Sequence, residues 1–443
     1  MTSNRTIAFH TLGCKLNFAE TSTIGKTLTQ AGYNKIDFDE GAEIYLINTC
    51  SVTENADREC RAVVNKALHA NPEALIVVTG CFAQLKPEAI AAIPGVDMVL
   101  GANEKFNVVA HLTHLKQKGP AHVHACEIGD VNSFVGSRSS GERTRVFLKV
   151  QDGCDYSCTF CTIPLARGAS RSNPLNKVIE DVREIIRSGA KEIVLTGINL
   201  GDYGIFDPVK GVRESSFLEL VTELDNLPEA PRFRISSIEP NLLSNRIIEK
   251  VSESVSFMPH FHIPLQSGSD TILKLMKRRY LSGLYSERVQ YIKSKMPHAC
   301  IGADVITGFP GETDEEFLTT YNFISGLPVS YLHVFTYSER DNTPAIDFKD
   351  SVPVSKRKER TRMLRNLSVK KLRGFYGSQI GSTRTVLFES DNKSGFMHGF
   401  TDNYVKVKVP YDAGLVNTLV ACRLEEIDES GEVLVSINEI ITA

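Results

Sequence analysis

No apolar run in the 443-residue sequence approaches the ~20 residues needed to span a bilayer. The opening MTSNRTIAFHTLGC also lacks the charged and apolar regions of a signal peptide. A membrane-embedded or exported chain is therefore not expected; the expected location is cytoplasmic, with no membrane partner. Neither sign of charge prevails, because 50 Lys and Arg face 53 Asp and Glu for a net charge of -3. That balance excludes whole-molecule attraction to nucleic acid or an anionic membrane, so any polyanion has to be held by a local basic patch. Hydrophobic residues at 42% and charged residues at 23% set aside bulk disorder and fibrous folds. What the sequence does have is length and cysteine. At roughly 100 to 200 residues per domain it should hold two to four domains. Its ten cysteines, in a reducing compartment, point to metal ligands or catalytic groups more than to disulfides.

From residue 5 to about 118, β-rich runs alternate with helical patterns. Residues 6–10, 43–47 and 75–78 read as strands. Ile24, Leu28 and Ala31 after the first, and Val63, Val64, Ala67 and Leu68 after the second, fall at the steps of amphipathic helices. This is the rhythm of an open parallel sheet. The polar run SFVGSRSSGERTR (133–145) reads as a linker. A second series has strand-like runs at 146–150, 192–195, 232–236, 260–265, 302–306 and 331–336, which predicts an incomplete β/α barrel with its site at the strand carboxyl ends. Residues 355–373 form a basic helical stretch, either a solvated face or one that contacts RNA. After Gly377, the alternation of Val405, Lys406, Val407, Lys408 and Val409 and the turn signals Asp391-Asn392 and Ser430-Gly431 predict a small antiparallel barrel of about five strands, nearest to the OB-fold. The fold class expected is α/β, divided as 1–132, a linker at 133–145, 146–375 and 376–443.

The strongest local signal is Cys154-x3-Cys158-x2-Cys161, just after the first strand of the second series. Three thiolates in eight residues wrap one face of a metal centre and leave a coordination position free. A structural zinc wants four closed ligands; His10 or His262 could supply a fourth, but no Cys or His in the next thirty residues does. Thiolates on three irons of a four-iron cluster, with the fourth iron open, fit better. Cys14, Cys50 and Cys81 are far apart in sequence, yet each follows a strand: HTLGC, LINTC and VVTGC. In an open parallel sheet the strand carboxyl ends share one edge, so these thiols can converge there; the bland alternative is three small buried cysteines. Cys60, Cys126, Cys300 and Cys422 share no such placement and read as structural.

The central cysteine spacing, with the aromatic Phe160 before its last member, resembles the radical S-adenosylmethionine (SAM) superfamily. TLGCKLN, NTCSVTENAD and TGCFAQ, together with PLARGASRS, resemble a narrower family, the methylthiotransferases, and the terminal barrel resembles that family's RNA-binding TRAM domain. The resemblance implies an enzyme with two 4Fe-4S clusters, one on Cys14, Cys50 and Cys81 and one on Cys154, Cys158 and Cys161. The second of these, when reduced, donates an electron to SAM, and the resulting 5′-deoxyadenosyl radical removes a hydrogen from an unactivated carbon. The first delivers sulfur, and a second SAM supplies the methyl group.

The later barrel strands end in TGIN (196–199), SSIE (236–239), PLQSG (264–268) and DVITG (304–308). Glycine there permits close backbone approach, and the polar side chains offer the partners that SAM's amino, carboxylate and ribose groups need. By resemblance, Thr196, Gly197, Asn199, Ser237, Glu239, Gln266 and Asp304 are the SAM-contacting residues, although βα loops are polar in most barrels. The segment FPGET (309–313) lacks the ending of a phosphate loop and reads as a helix start capped by Thr313, with Glu316 completing a capping box. Arg167 and Arg171 can hold a substrate anion through bidentate contacts, or be ordinary ion-paired arginines. Acidic residues outnumber cations in the terminal barrel, so RNA contact there must use one face, with Lys406 and Lys408 beside Phe400 and Tyr404.

Within the family the run 163–172 looks most like the branch that acts on N6-threonylcarbamoyladenosine beside the tRNA anticodon (position 37), with Leu165 where that branch has an aromatic. The alternatives are isopentenyladenosine in tRNA and a ribosomal-protein aspartate; outside enzymes, the alternative is an iron-sulfur or zinc RNA-binding protein. The expected partners are tRNA and a low-potential electron donor of flavodoxin or ferredoxin type, with the protein a monomer.

Overall fold

In the computed structural model the described residues are 5–50, 54–115, 118–139, 141 and 144–441. The amino-terminal region is a six-stranded parallel sheet built from β1 (Thr6–Thr11), β2 (Asn34–Lys35), β3 (Ile44–Thr49), β4 (Leu75–Gly80), β5 (Met98–Leu100) and β6 (His122–His124), in the order β2-β1-β3-β4-β5-β6. β3 (IYLINT) and β4 (LIVVTG) are buried at every position, as central strands covered on both faces must be. The helices α1 (Lys15–Gln30), α2 (Glu54–Ala70), α3 (Cys81–Leu85), α4 (Pro87–Ala91) and α5 (Val108–His114) connect the strands. Ile24 and Leu28 of α1 pack on one face with Ile44 and Leu46, while Val63, Val64 and Ala67 of α2 pack on the other with Tyr45 and Ile47. Ala31, read as part of the first helix, is its carboxyl cap. Three strands were not read from the sequence: β2, β5 and β6 have two or three residues each, too few to show a period.

Within residues 133–145, β7 (Ser137–Arg138) pairs antiparallel with β8 (Val146–Lys149), and the Arg138 amide donates to Thr23 Oγ1 of α1 at 3.0 Å. The segment therefore docks against both neighbours. β9 (Gln151–Asp152) and β10 (Arg171–Ser172) form a two-rung antiparallel pair with α6 (Ile163–Arg167) between them.

The partial barrel uses β8, β11 (Glu192–Thr196), β12 (Arg232–Ile235), β13 (His260–His262), β14 (Cys300–Thr307) and β15 (Tyr331–Thr336) as parallel staves. Its hydrogen bonding falls into two sheets, and bridges such as Ile238 N to His262 O at 3.1 Å join them. α7 (Leu175–Arg187), α8 (Phe217–Asp225), α9 (Asn245–Glu253), α10 (Asp270–Leu275), α11 (Ser282–Lys295) and α12 (Asp314–Gly326) follow the staves. Leu148, Leu195, Phe233, Phe261 and Val305 join this helical core. The alternate positions Lys149, Thr196, Arg234, His262 and Asp304 then fall on the lumen side, by the two-residue period of a strand.

Thr313 caps α12 by accepting from Glu316 N at 3.2 Å, but the Glu316 carboxylate takes the Ser269 hydroxyl instead of closing the box. α13 (Val354–Gly377) crosses to the terminal barrel, where β16 (Thr383–Phe388), β17 (Phe396–Thr401), β18 (Lys406–Pro410), β19 (Leu419–Ile427) and β20 (Val433–Ile440) close in the order β16-β17-β18-β20-β19. Val407 and Val409 point into this barrel. No helix among the described residues is long and apolar enough to cross a membrane.

Candidate functional site

The loop carrying Cys154, Cys158 and Cys161 leaves the barrel top between β9 and β10. Gly153 sits at φ +71°, and a Cβ there would lie 2.0 Å from Ala169 O, so only glycine lets the loop fold back. Cys154 N then bonds Gly168 O at 3.0 Å, and Thr159 bonds the end of α10 through Leu275 O and Met276 O. Backbone amides point at the sulfurs: Tyr156 N lies 3.4 Å from Cys154 Sγ and Ile163 N 3.5 Å from Cys161 Sγ. Arg278, which no local motif marked, donates to Cys158 Sγ at 3.1 Å and is ion-paired with Glu239. Phe160 packs edge-on against Phe309. Burial pushes the Cys154 and Cys161 thiols up to about 12. Such groups become thiolates when a metal supplies the opposing charge.

The strand-end residues gather at one rim. Asn199 N bonds Gln151 Oε1 at 2.9 Å, and the buried Asn199 Nδ2 has no partner among the described residues. A Cβ on Gly197 would stand 2.9 Å from Gln151 Oε1. Ser237 O accepts from Leu200 N, and Gln266, at φ +66°, donates its amide to Asp304 O at 2.8 Å. Burial alone would raise the Asp304 carboxyl, but His262 at 2.9 Å and His333 at 3.3 Å hold it well below the usual carboxylate range. Burial raises Glu239 despite its Arg278 partner. Thr196 faces the other way in function: its hydroxyl is buried and bonds Leu148 O.

Cys14 caps α1 after β1, Cys50 directly follows β3 and Cys81 begins α3 directly after β4. These strands are adjacent in the sheet, so the three cysteines share its carboxyl edge. A Cβ on Gly13 would lie 2.9 Å from Cys50 Sγ, and Cys81 is close enough to Cys14 for their charges to interact. Burial raises the Cys81 thiol, with Arg167 acting in the opposite direction. Asn17 ties the edge together by donating to Leu12 O and Thr49 O at 3.0 and 2.9 Å. The only three Cys, His, Asp or Glu ligand atoms within 4.8 Å of one another among the described residues are those of His262, Asp304 and His333. Neither cysteine trio is thus drawn to the ~3.8 Å sulfur spacing that one tetrahedral zinc with ~2.3 Å bonds requires. The all-thiol donor set is the kind that iron-sulfur clusters take. Cys60 lies in the amino-terminal core, and Cys300 and Cys422 in that of the terminal barrel.

Arg167 and Arg171, expected to clamp a substrate anion, are buried and ion-paired inside the protein, with only Arg167 Nε lacking a hydrogen-bond partner among the described residues. Arg167 pairs with Glu20 of α1 at 3.1 Å and Asp152 at 2.9 Å and donates to Asn17 Oδ1 at 2.6 Å. Arg171 bonds Asp152 at 3.2 Å, Arg167 O at 2.7 Å and Ser133 O at 2.9 Å. Lys105 and Lys149 complete the cluster at 2.8 and 3.0 Å from Glu20. Burial opposes ionisation of Glu20 and Asp152, but the surrounding cations win and hold both carboxyls well below the usual range. Lys406 and Lys408 of the terminal barrel pair with Glu432 and Asp428. Their charge is largely neutralised within the barrel.

A cavity of about 310 Å³ lies beside Cys14, walled by Lys15 and Phe18 of α1, Phe147, Arg234 and His260 of the barrel, Arg145, and Tyr404 of the terminal barrel. Lys15 lines this cavity with an exposed side chain, and desolvation by the surrounding protein lowers its pKa.

Residues 148–324 match the Radical SAM superfamily, and residues 6–101 match a family described as Uncharacterized protein family UPF0004. The fold resembles that of the radical S-adenosylmethionine methyltransferase TsrM from Kitasatospora setae, with a TM-score of 0.55 at 13% identity over 78% of this chain and 77% of that one. A partial barrel carrying this three-cysteine loop is the architecture of a radical SAM enzyme, a class that uses SAM and a 4Fe-4S cluster.

The chain belongs to the radical SAM methylthiotransferase family. It is 38% identical over 432 residues to the threonylcarbamoyladenosine tRNA methylthiotransferase MtaB of Bacillus subtilis (strain 168), covering 95% of this chain and 93% of that protein. It is 38% identical to the protein of the same name from Aquifex aeolicus (strain VF5), over 91% and 96% of the two chains. Identity is 32%, over 96% and 84%, to the tRNA-2-methylthio-N(6)-dimethylallyladenosine synthase of Staphylococcus haemolyticus (strain JCSC1435).

Proposed function

We propose that the protein converts N6-threonylcarbamoyladenosine at tRNA position 37 to its 2-methylthio derivative, with one 4Fe-4S cluster on Cys154, Cys158 and Cys161 and a second on Cys14, Cys50 and Cys81. The observation that carries this reading is the buried bridge between the two cysteine trios. Glu20 lies on the helix that Cys14 caps, and Arg167 lies on the helix that follows Cys161. Their ion pair, closed by Asp152, ties one metal-binding edge to the other. A reaction that moves sulfur from one centre to a carbon activated at the other needs such a fixed relation.

When bound, the clusters and two SAM molecules supply the reducing electron, the hydrogen-abstracting radical, the sulfur and the methyl group. The chain's own residues position and shield them. The Tyr156 and Ile163 amides and Arg278 place positive partial charge on the sulfurs of the barrel trio. Asn199 Nδ2, Glu239, Gln266 and Asp304 form the rim where SAM's amino acid and ribose are to be held, while the Thr196 hydroxyl remains a strand contact. tRNA approaches from the side of α13 and the terminal barrel; Lys358, Arg362, Arg365, Lys370 and Arg373 stand exposed there. A flavodoxin- or ferredoxin-type donor supplies electrons to a cytoplasmic monomer. The names of the two relatives at 38% identity support the acidic substrate, and the cationic wall of the cavity supports it over an isopentenyl tail, which needs an apolar lining.

The test is mass spectrometry of digested tRNA from a strain lacking the gene. Threonylcarbamoyladenosine should accumulate and its 2-methylthio form disappear, and complementation with a Cys154→Ala variant should fail to restore it. An unchanged tRNA profile together with an unmodified ribosomal aspartate would move the assignment to that substrate.

A further inference from the structure

The cavity beside Cys14 is close in size to the smallest small-molecule sites, which start at about 300 Å³, and so has room for one base and its substituent. Its aromatic side is a stack: His260 lies on Tyr404 with ring centres 4.2 Å apart, and Tyr404 lies on Phe400 at 4.8 Å. Tyr404 is held at φ +69°, an unfavourable conformation for a bulky residue. The turn from Thr401 keeps it there, through Tyr404 N to Thr401 O and Val405 N to Thr401 Oγ1. Strain retained at a cavity wall is characteristic of a ligand clamp. His260 is 4% exposed, and its Nδ1 has no partner among the described residues.

Charge singles out one residue on this wall. Arg234 is satisfied by Glu192 at 2.7 Å and by the carbonyls of Thr401 and Asp402. Arg145 is satisfied by Glu389 at 3.0 Å and lies over the Phe400 ring. Lys15 has no hydrogen bond or ion pair with any described residue. The cavity wall thus holds three cations, Lys15, Arg145 and Arg234, of which Arg145 and Arg234 are paired with Glu389 and Glu192, while the charge of Asp304 reaches Lys15 only at a distance. Lys15 also opens α1, whose amino terminus has no side-chain cap and adds positive potential. The wall therefore calls for an anion carried on a flat, stackable group.

We propose that this cavity receives the modified base and that Lys15 pairs with the carboxylate of its threonylcarbamoyl group, which makes Lys15 the residue that selects an acidic N6 substituent. This rests on the substrate reading above. The experiment compares kcat/KM for tRNA carrying threonylcarbamoyladenosine with kcat/KM for the same tRNA after methyl esterification of that carboxylate, using the reconstituted enzyme and its Lys15→Gln and Lys15→Arg variants at matched iron content. The wild type should favour the free acid. Lys15→Gln should lose about 10- to 100-fold on the acid and little on the ester, the range expected for one charged hydrogen bond, and Lys15→Arg should recover part of the preference. An undiminished acid preference in Lys15→Gln would overturn the proposal. So would equal losses on both substrates, which would assign Lys15 to a phosphate or to SAM. Absence of product from either tRNA with the wild type would instead overturn the substrate reading, and this inference with it.

Discussion

Arg278 donates to Cys158 Sγ from a position 120 residues further along the chain and holds Glu239 with its other nitrogen. A donor to a cluster sulfur favours the more reduced, more negative state. Arg278→Gln should therefore make the midpoint potential of the barrel cluster more negative and slow reductive SAM cleavage by about tenfold, the lower end for a partner of a metal ligand. An unshifted potential would show that Arg278 only packs. At Glu20 the argument concerns stability. Glu20→Gln leaves Arg167, Lys105 and Lys149 to share Asp152, and breaking a buried ion pair costs roughly 3–5 kcal/mol, so the melting temperature should fall clearly. The sign of the pH dependence follows from the depressed carboxyls. Their contribution is complete above the unfolded values of ~3.9 and ~4.3 and is lost as pH falls through their lower folded values. Wild-type stability should thus drop on acidification below about pH 4, and Glu20→Gln should show a shallower acid limb in urea titrations. The two cysteine trios could be proposed as ligands from the sequence because residue type and spacing are written there, and the structure places Cys14, Cys50 and Cys81 at one sheet edge. Arg167 and Arg171 were left open between a substrate clamp and an ion pair because a basic residue after a cysteine loop looks the same in sequence whether it faces substrate or a buried Glu20 contributed from 147 residues away.

The basic helix α13 shows the same ambiguity at the scale of an element. Its sequence permits a solvated or an RNA-contacting face, and the structure divides the charge. Arg357 and Arg360 are buried, against Glu339 and Glu312 at 2.6 Å each, and anchor the helix to the barrel, while Arg362 and Arg365 stand outside. Arg360→Ala strands the buried Glu312 and should cost roughly 3–5 kcal/mol, whereas Arg365→Ala should stay within about 0.5 kcal/mol; chemical denaturation separates them. The helix-start reading of FPGET is seen directly, with Glu312 accepting from Gly308 N at 2.8 Å and Thr313 as the cap. The second half of the expected box is missing because Ser269, distant in sequence, competes for Glu316. Long periodic strands such as β3 and β4 were readable, and β5 and β6 were not, because three residues carry no pattern.

For the whole molecule, the rhythm of strands and helices was enough to give an open sheet, a partial barrel and a closed five-stranded barrel in that order. How they meet was not legible. Three domains converge on one cavity, with Lys15, His260 and Tyr404 contributed by the first, second and third, and no local window contains such a set. The proposed function requires the two cysteine trios to hold two separate clusters in one fixed frame. Iron and labile sulfide counts after anaerobic reconstitution test it most directly, made on the wild type and on a variant with Cys154, Cys158 and Cys161 all replaced by alanine. About eight irons with matching sulfide in the wild type and about four in the variant are expected, as two four-iron clusters require. Zinc loading without sulfide, or a variant that loses all its iron while remaining folded, would contradict it.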